Sequence, residues 1–224
     1  MSFDFFMRNL MESCSYTISF LFLLFYASRN RQAKLRVLAF YFFVAALLML
    51  RAAYAFPNIR LYSMLSLVSA IFLSIYFHET YLMKWKKKVV IFIVVGHCAY
   101  SLINNFVFAP PVIFDSVGHV LLSTGIVVMA FLFMHQILTN ITAEPLSHNF
   151  DFWFVSTQLI YHLGAFGIFL TYNYLTKRIL PSGENRNLIR DVWLVHNVLL
   201  FLTALLLAGG ILWITFRRKS QSSL

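Results

Sequence analysis

The fold is decided by two apolar runs, FWFVSTQLIYHLGAFGIFLTYNYL at residues 152–175 and VWLVHNVLLFLTALLLAGGILWITF at residues 192–216. Each run exceeds the roughly 20 apolar residues that an α-helix needs to cross a bilayer. Each also has aromatic residues near both ends, where amphipathic rings settle among the lipid headgroups. Both runs contain histidine and amide side chains, which are costly in hydrocarbon and usually have a role there. We therefore predict two membrane-spanning helices that carry functional polar residues.

The composition of the whole chain agrees with a protein that has lipid as its solvent. Hydrophobic residues make up 60% of the 224 positions, charged residues make up 12%, and the mean hydropathy is +0.76. A soluble domain carries about 25% charged residues. The formal net charge is +10, but the basic residues stand in short clusters between apolar runs. This pattern indicates membrane topology and argues against a nucleic-acid-binding surface.

Five further apolar runs precede these two, and all seven are long enough to span a bilayer as helices. A membrane β-barrel is excluded, because its strands would alternate in polarity over about ten residues. The connections between the runs are short. We therefore predict one all-α domain over residues 1–224, a bundle of seven transmembrane helices at about residues 10–28, 35–56, 61–83, 89–108, 112–140, 149–175 and 190–216.

The distribution of lysine and arginine predicts the orientation of this bundle. Most of the 18 basic residues lie in the first loop, the third loop and the C-terminal tail, which share one side of the membrane. Loops rich in lysine and arginine remain in the cytoplasm. The sixth loop is also basic and favours the opposite orientation, but the early loops carry more weight. We therefore predict an external N-terminus and a cytoplasmic C-terminus.

Polar residues of several predicted spans fall at one depth near the external face. The fourth and sixth spans reach this face at their C-terminal ends, and the fifth and seventh at their N-terminal ends. Polar groups dispersed toward lipid would each cost several kcal/mol, so convergence is favoured. We predict one ligand-binding polar cavity, with a closed hydrogen-bonded plug as the alternative, formed by Asn104, Asp115, His119, Asn173, His196 and Asn197.

A second polar layer is predicted near the middle of the membrane, formed by His97, Gln158 and His162. Facing histidines are also the ligands of haem in membrane cytochromes, and this interpretation stays open as a minor alternative. A retinal protein is excluded, because the last span has no lysine to form a Schiff base. The chain also has no nucleophile elbow of a hydrolase. The sequence predicts no catalytic residue, no metal site and no particular cofactor.

The last two runs resemble a bacterial family of seven-helix membrane proteins. The resemblance lies in Phe152-Trp153-Phe154, Leu159-Ile160-Tyr161 and Asn173-Tyr174-Leu175, and then in the His196-Asn197 pair and the Ala208-Gly209 to Trp213 ending. Members of that family occur alone or as the membrane input module of sensor histidine kinases. The resemblance implies a bacterial inner-membrane location and a sensory role. No kinase domain follows in this sequence, so a transmitter would be a separate protein.

Our main functional hypothesis is a sensor or receptor-like module that binds a small or lipophilic ligand, or senses the bilayer. It would pass a shift in helix packing to a cytoplasmic partner such as a histidine kinase. The rival hypotheses are a small transporter, an intramembrane enzyme acting on a lipid or cofactor, and a purely structural subunit with a filled core. The predicted partner-binding residues are the basic residues of the third loop and the tail: Lys84, Lys86, Lys87, Lys88, Arg217, Arg218 and Lys219.

Overall fold

The apolar runs form seven long α-helices in the computed structural model, which describes residues 6–54, 58–104, 114–140, 145–178 and 186–221. A π-helical turn, Phe6–Leu10, precedes the first helix, and a short 3-10 turn, Leu146–His148, precedes the sixth. In chain order the helices are α1 (Met11–Asn30), α2 (Ala33–Tyr54), α3 (Ile59–Thr80), α4 (Lys84–Ile103), α5 (Ser116–Thr139), α6 (Phe150–Arg178) and α7 (Arg186–Gln221).

The prediction of an all-α bundle is confirmed in the described part of the chain, and each predicted span corresponds to one helix. Five of the seven helices are long and apolar enough to cross a membrane: α2, α3, α5, α6 and α7. The other two have more polar ends. Helix α4 begins within a run of lysines, and α1 carries Glu12 and several serines in its first turns. The described part of the protein is therefore a helical bundle with five candidate membrane spans.

The helices pack as a closed ring. Each helix contacts its neighbours in the chain, α7 returns to pack against α1, and α3 also touches α5 across the ring. The inside of the ring is filled with large side chains such as Tyr76, Phe77 and Phe154, which have essentially no exposed surface. The outside is apolar, with exposed residues such as Phe92 and Leu138. An outer surface of this kind is suited to lipid, which supplies the apolar contacts that water cannot.

Candidate functional site

A small polar cavity lies inside the ring, and six of the seven helices contribute to its wall. Its volume is about 50 Å³, which is room for a few water molecules. Tyrosine, serine, histidine and glutamine side chains form much of the wall. The polar residues that line the cavity are Glu12, Ser15, Tyr16, Ser19, Tyr41, Tyr62, Ser66, Ser69, His119, Ser123, Thr157, Gln158, Tyr161, His162, Trp193, His196 and Thr203.

Glu12 of α1 provides a carboxylate to this cavity. The residue is 4% exposed, and its Oε2 accepts a hydrogen bond of 2.9 Å from the Tyr62 hydroxyl. Its Oε1 is buried and has no hydrogen-bond partner, although His196 Nδ1 lies 3.6 Å away. A buried carboxylate oxygen without a partner carries the full cost of its lost hydration. The cavity therefore contains an acceptor that a cation or a hydrogen-bond donor would satisfy.

His196 of α7 lies beside Glu12 and forms hydrogen bonds with two further polar residues. Its Nε2 lies 2.8 Å from the Tyr161 hydroxyl, and its Nδ1 lies 3.3 Å from Asn197 Oδ1. Because Nδ1 faces two acceptor oxygens, from Asn197 and Glu12, we assign its proton to Nδ1. Tyr161 then donates its hydroxyl proton to Nε2. Tyr161 and His196 thus form a hydrogen-bonded pair between α6 and α7, and Glu12 Oε1 of α1 lies just beyond hydrogen-bond distance of that pair.

His119 of α5 provides a second open polar atom. Its side chain is buried, and its Nε2 has no hydrogen-bond partner. The imidazole stacks on Phe114, with 4.7 Å between ring centroids, and contacts Phe169 at 4.9 Å. Phe169 also contacts His196 at 5.3 Å. The ring of Phe169 on α6 therefore bridges the two histidines, and both line the same cavity.

Aromatic rings enclose the part of the cavity near Glu12 and His196. The ring centroids of Trp193 and His196 are 5.0 Å apart. Trp193 also packs edge to face against Tyr62, with 5.2 Å between the centroids. Phe114 packs against both Tyr62 and Trp193 in the same edge-to-face manner. Aromatic faces attract cations. The Glu12 carboxylate shares the cavity wall with Tyr62 and Trp193, so this part of the cavity is suited to a cation.

Of the residues predicted to form the outer cavity, some line the observed cavity and others lie elsewhere. His119 and His196 both line the cavity. Asn197 is fully buried beside His196, and its amide donates to the carbonyl of Met7 at 3.2 Å. Asn104 lies at the C-terminal end of α4 and is not among the lining residues. The side chain of Asn173 lies outside the described part of the chain.

Asp115, another residue predicted to bind the ligand, forms its hydrogen bonds at the start of α5. It is the N-cap of α5, and its Oδ1 accepts hydrogen bonds from the Gly118 amide at 2.9 Å and the Tyr100 hydroxyl at 3.0 Å. An aspartate in this position satisfies a free amide of the first helical turn. It is not among the residues that line the cavity. The carboxylate near the imidazoles is Glu12 instead.

The residues predicted to form the middle layer also lie in two different places. Gln158 and His162 line the cavity, and His162 Nδ1 lies 3.2 Å from the Ser123 hydroxyl. His97 lies elsewhere, between α3 and α4. Its Nε2 is 3.0 Å from the Ser66 hydroxyl and 3.3 Å from that of Ser101. The two histidines therefore contact different serines and do not form a facing pair.

The predicted partner surface is only partly exposed. Lys84 and Lys88 are exposed and Lys87 is half-buried, while Arg217 is exposed with its guanidinium 4.9 Å from the centre of the Trp213 ring. Lys86 is the exception, because it has no exposed surface. The Lys86 ammonium turns inward and donates to the carbonyl of Leu132 at 2.8 Å. Arg218 and Lys219 have side chains outside the described part.

A second charged cluster lies at the opposite end of the bundle from Glu12. Lys34 at the start of α2 forms an ion pair with Asp151 at the start of α6, with 2.6 Å between Nζ and Oδ2. The Tyr76 hydroxyl on α3 donates to Asp151 Oδ1 at 2.7 Å. Each side chain of the ion pair is 20% exposed. This cluster fastens three helices at the end where the first and third loops lie.

Sequence reasoning missed Glu12, Tyr62 and Tyr161. A carboxylate near the start of a span resembles an ordinary residue at the membrane surface, so its position alone does not single it out. The spacing of Glu12, Ser15 and Ser19 was the available signal. Residues separated by three and seven positions share one helix face, so these three form a polar stripe along α1.

The arrangement can bind a cation or hydrogen-bond donor, or relay protons between carboxylate, imidazole and hydroxyl groups. Within the described residues, no group of three or more histidine, cysteine, aspartate or glutamate side chains could hold a metal ion. Comparisons with protein-family models, curated proteins and solved structures find no match to this chain. The geometry of the cavity is therefore the basis on which its function is inferred.

Proposed function

We propose that this chain is a membrane-embedded sensor that binds a small cationic ligand in the polar cavity and signals to a separate cytoplasmic partner. The observation that carries the proposal is the unpaired Oε1 of buried Glu12, in a wall that also contains Tyr62, Trp193 and the unpaired Nε2 of His119. A cation that enters the cavity gains a carboxylate partner and aromatic faces at once.

The size of the cavity supports a small ligand over a lipophilic one. About 50 Å³ accommodates a few water molecules or a small ammonium ion, and it is far too small for a haem or an acyl chain. The wall also contains too many polar groups to favour an apolar molecule, because burying them without hydrogen bonds is costly. The ligand class that fits both size and chemistry is a small protonated amine or a comparable cation.

The proposal includes seven membrane spans in a bacterial inner membrane, with the N-terminus outside. Helices α1 and α4 are each 20 residues long, which is sufficient to cross a bilayer, and both pack in the same ring as the five apolar helices. The bacterial location rests on the resemblance of the last two helices to sensor input modules. In this orientation the cavity is nearer the external face, and the Lys34–Asp151 cluster is nearer the cytoplasm.

Two helices provide a mechanical link between the cavity and the cytoplasmic end. Helix α3 carries Tyr62, which bonds Glu12, and Tyr76, which bonds Asp151. Helix α6 carries Tyr161 at the cavity and Asp151 itself. A ligand that binds one packing of these helices better than another shifts the population of the two packings. The shift would reach the exposed lysines of the third loop, where a histidine kinase or another regulator would bind.

Replacing Glu12 with glutamine is expected to abolish binding of small cations. The amide oxygen of the introduced glutamine can still accept the Tyr62 hydrogen bond, so the fold is retained while the charge is lost. The probes are ammonium and methylammonium, with bulky tetrabutylammonium as the excluded cation. At about one hundred times its dissociation constant, a ligand stabilises the protein by about 2.7 kcal/mol, which appears as a rise in the melting temperature of the purified protein.

The matched control is Glu79→Gln, which removes one carboxylate from an exposed position outside the cavity. This variant should retain the full shift in melting temperature. The proposal fails if neither small cation stabilises the parent protein. It also fails if Glu12→Gln keeps the stabilisation, because the carboxylate would then have no part in binding.

The proposed orientation predicts that the C-terminal tail is in the cytoplasm. A single cysteine in place of Ser222, with Cys14 and Cys98 replaced by serine, should resist an impermeant thiol reagent in intact cells. The same cysteine should react once the membrane is permeabilised. Labelling in intact cells as fast as that of an external control cysteine would reverse the orientation.

A further inference from the structure

A groove separate from the polar cavity runs along the outside of the bundle between α1 and α2. Its volume is about 450 Å³. The floor consists of Ala27 and Ala39, which are both buried. The small size of these two residues makes the groove deep, because no larger side chain fills the space between the helices. The walls are apolar and consist of the half-buried Phe20 and the exposed Leu24, Phe40 and Phe43.

One end of this groove is strongly basic. Arg31 and Arg36 both line it and are exposed. Within the described part of the chain, neither arginine forms an ion pair, and no acidic residue lines the groove. The first turn of α2 begins at Ala33 between them, and the amides of a first helical turn favour an anion. The groove is therefore apolar along its length and cationic at its mouth.

Arg31 has an unusual backbone conformation for an arginine. Its φ is 49°, in the left-handed region, and it is the one non-glycine residue with positive φ in the described part. It terminates α1 by donating its amide to the Ala27 carbonyl at 3.0 Å. Glycine is the usual residue in this position, because the Cβ of any other residue is strained in the left-handed conformation. The strained turn places an arginine where glycine would be more stable.

We propose that this groove binds one anionic phospholipid, with an acyl chain along the apolar walls and the phosphate between Arg31 and Arg36. The groove from Phe20 to Arg31 extends about 16 Å along the helix axis at 1.5 Å per residue, a length suited to an acyl chain. Its basic mouth lies at the end of the apolar helices, where lipid phosphates lie. A second copy of the chain fits less well, because a parallel dimer would bring the same unpaired arginines together.

The test uses native mass spectrometry and lipid titration of the purified full chain in detergent, with phosphatidylglycerol compared with phosphatidylcholine. The parent protein should retain one phosphatidylglycerol preferentially. The double variant Arg31→Gly/Arg36→Gln should bind it about twenty-five-fold more weakly, because each arginine near an anionic lipid contributes roughly fivefold. Its melting temperature without lipid should be equal or higher, because glycine relieves the strained turn.

The matched control is Lys88→Gln, which removes one exposed positive charge from the same end of the bundle but not from the groove. Its affinity for phosphatidylglycerol should change less than twofold. The proposal is overturned if the double variant retains the preference for the anionic lipid, or if Lys88→Gln reduces it equally. Equal stabilisation by inorganic phosphate would overturn the lipid assignment, and a stable dimer cross-linked through cysteine at Phe40 would assign the groove to a second copy.

Discussion

Asp151→Asn is expected to lower the free energy of unfolding by about 2–3 kcal/mol. The substitution keeps the side-chain shape but removes the charge that faces Lys34 at 2.6 Å. Breaking a buried ion pair by removing one partner costs about 3–5 kcal/mol. Both side chains of this pair are 20% exposed, so water partly solvates the remaining charge and the expected cost is lower. The Tyr76 hydroxyl also loses a charged acceptor. The change in the free energy of unfolding is measured by titrating the protein with a denaturing detergent and following its helix content by circular dichroism.

A comparison with an exposed pair separates burial from charge. Glu79→Gln breaks the contact between Glu79 and His78, in which the glutamate side chain is 61% exposed. An exposed pair contributes about 0–1 kcal/mol, so this control should hardly change the stability. The double variant Lys34→Met/Asp151→Asn should be less destabilised than the sum of its single variants, because no unpaired charge remains. Additive effects would show that the two residues are not coupled.

The helices of this fold could be predicted because hydrophobic length is a direct signal in a membrane protein. Each apolar run of about 20 residues became a helix, since the backbone must satisfy its hydrogen bonds internally. The observed helix ends differ from the predicted ends of the spans. The fourth span was predicted to begin at residue 89, whereas α4 begins at Lys84. Lysine is a good helix former, so the charged run continues the helix although it does not extend the apolar segment.

The candidate site was predicted in part, through its histidines. His119 and His196 are polar residues within apolar runs, and depth alone was enough to bring them to one cavity. Asp115 shares their depth but caps α5, and its place directly before an apolar run is the usual signal of an N-cap. To predict that Glu12 belongs to the site, one would have to know that α7 packs against α1. Such long-range closure of the ring is not encoded in any single span.

Lys86 shows how helix periodicity could have improved the prediction of the basic surface. It belongs to a run of lysines, which as a group suggests a solvated face. Along α4, however, the buried residues are Lys86, Val90, His97 and Ser101, whose separations of four and seven positions define one helix face. That face packs inward. The charge therefore lies inside the bundle, and Lys84 and Lys88 remain as the exposed lysines of this segment.

The paired glycines of α7 differ in their surroundings, although they are adjacent in sequence. A Cβ atom built on Gly210 would lie 2.6–2.9 Å from ring atoms of Trp153, whereas one built on Gly209 would have nothing within 4 Å. The Trp153 ring cannot easily move aside, because its Nε1 donates to the Ser147 carbonyl at 2.9 Å. Gly210 thus permits the close approach of α6 and α7, a role that small residues commonly have in membrane helices.

Gly210→Ala is therefore expected to destabilise the protein by about 2–3 kcal/mol, since overpacking a well-filled contact costs about 1–3 kcal/mol and the Trp153 hydrogen bond is also disturbed. Gly209→Ala is the matched control and should be neutral or stabilising by up to about 1 kcal/mol, because alanine is the better helix residue. Both effects are measured by unfolding the two variants in increasing concentrations of a denaturing detergent. Adding Trp153→Leu should recover part of the loss in Gly210→Ala by providing space for the new methyl group. Equal stabilities of the two glycine variants would show that the Trp153 contact does not constrain the packing of α6 on α7.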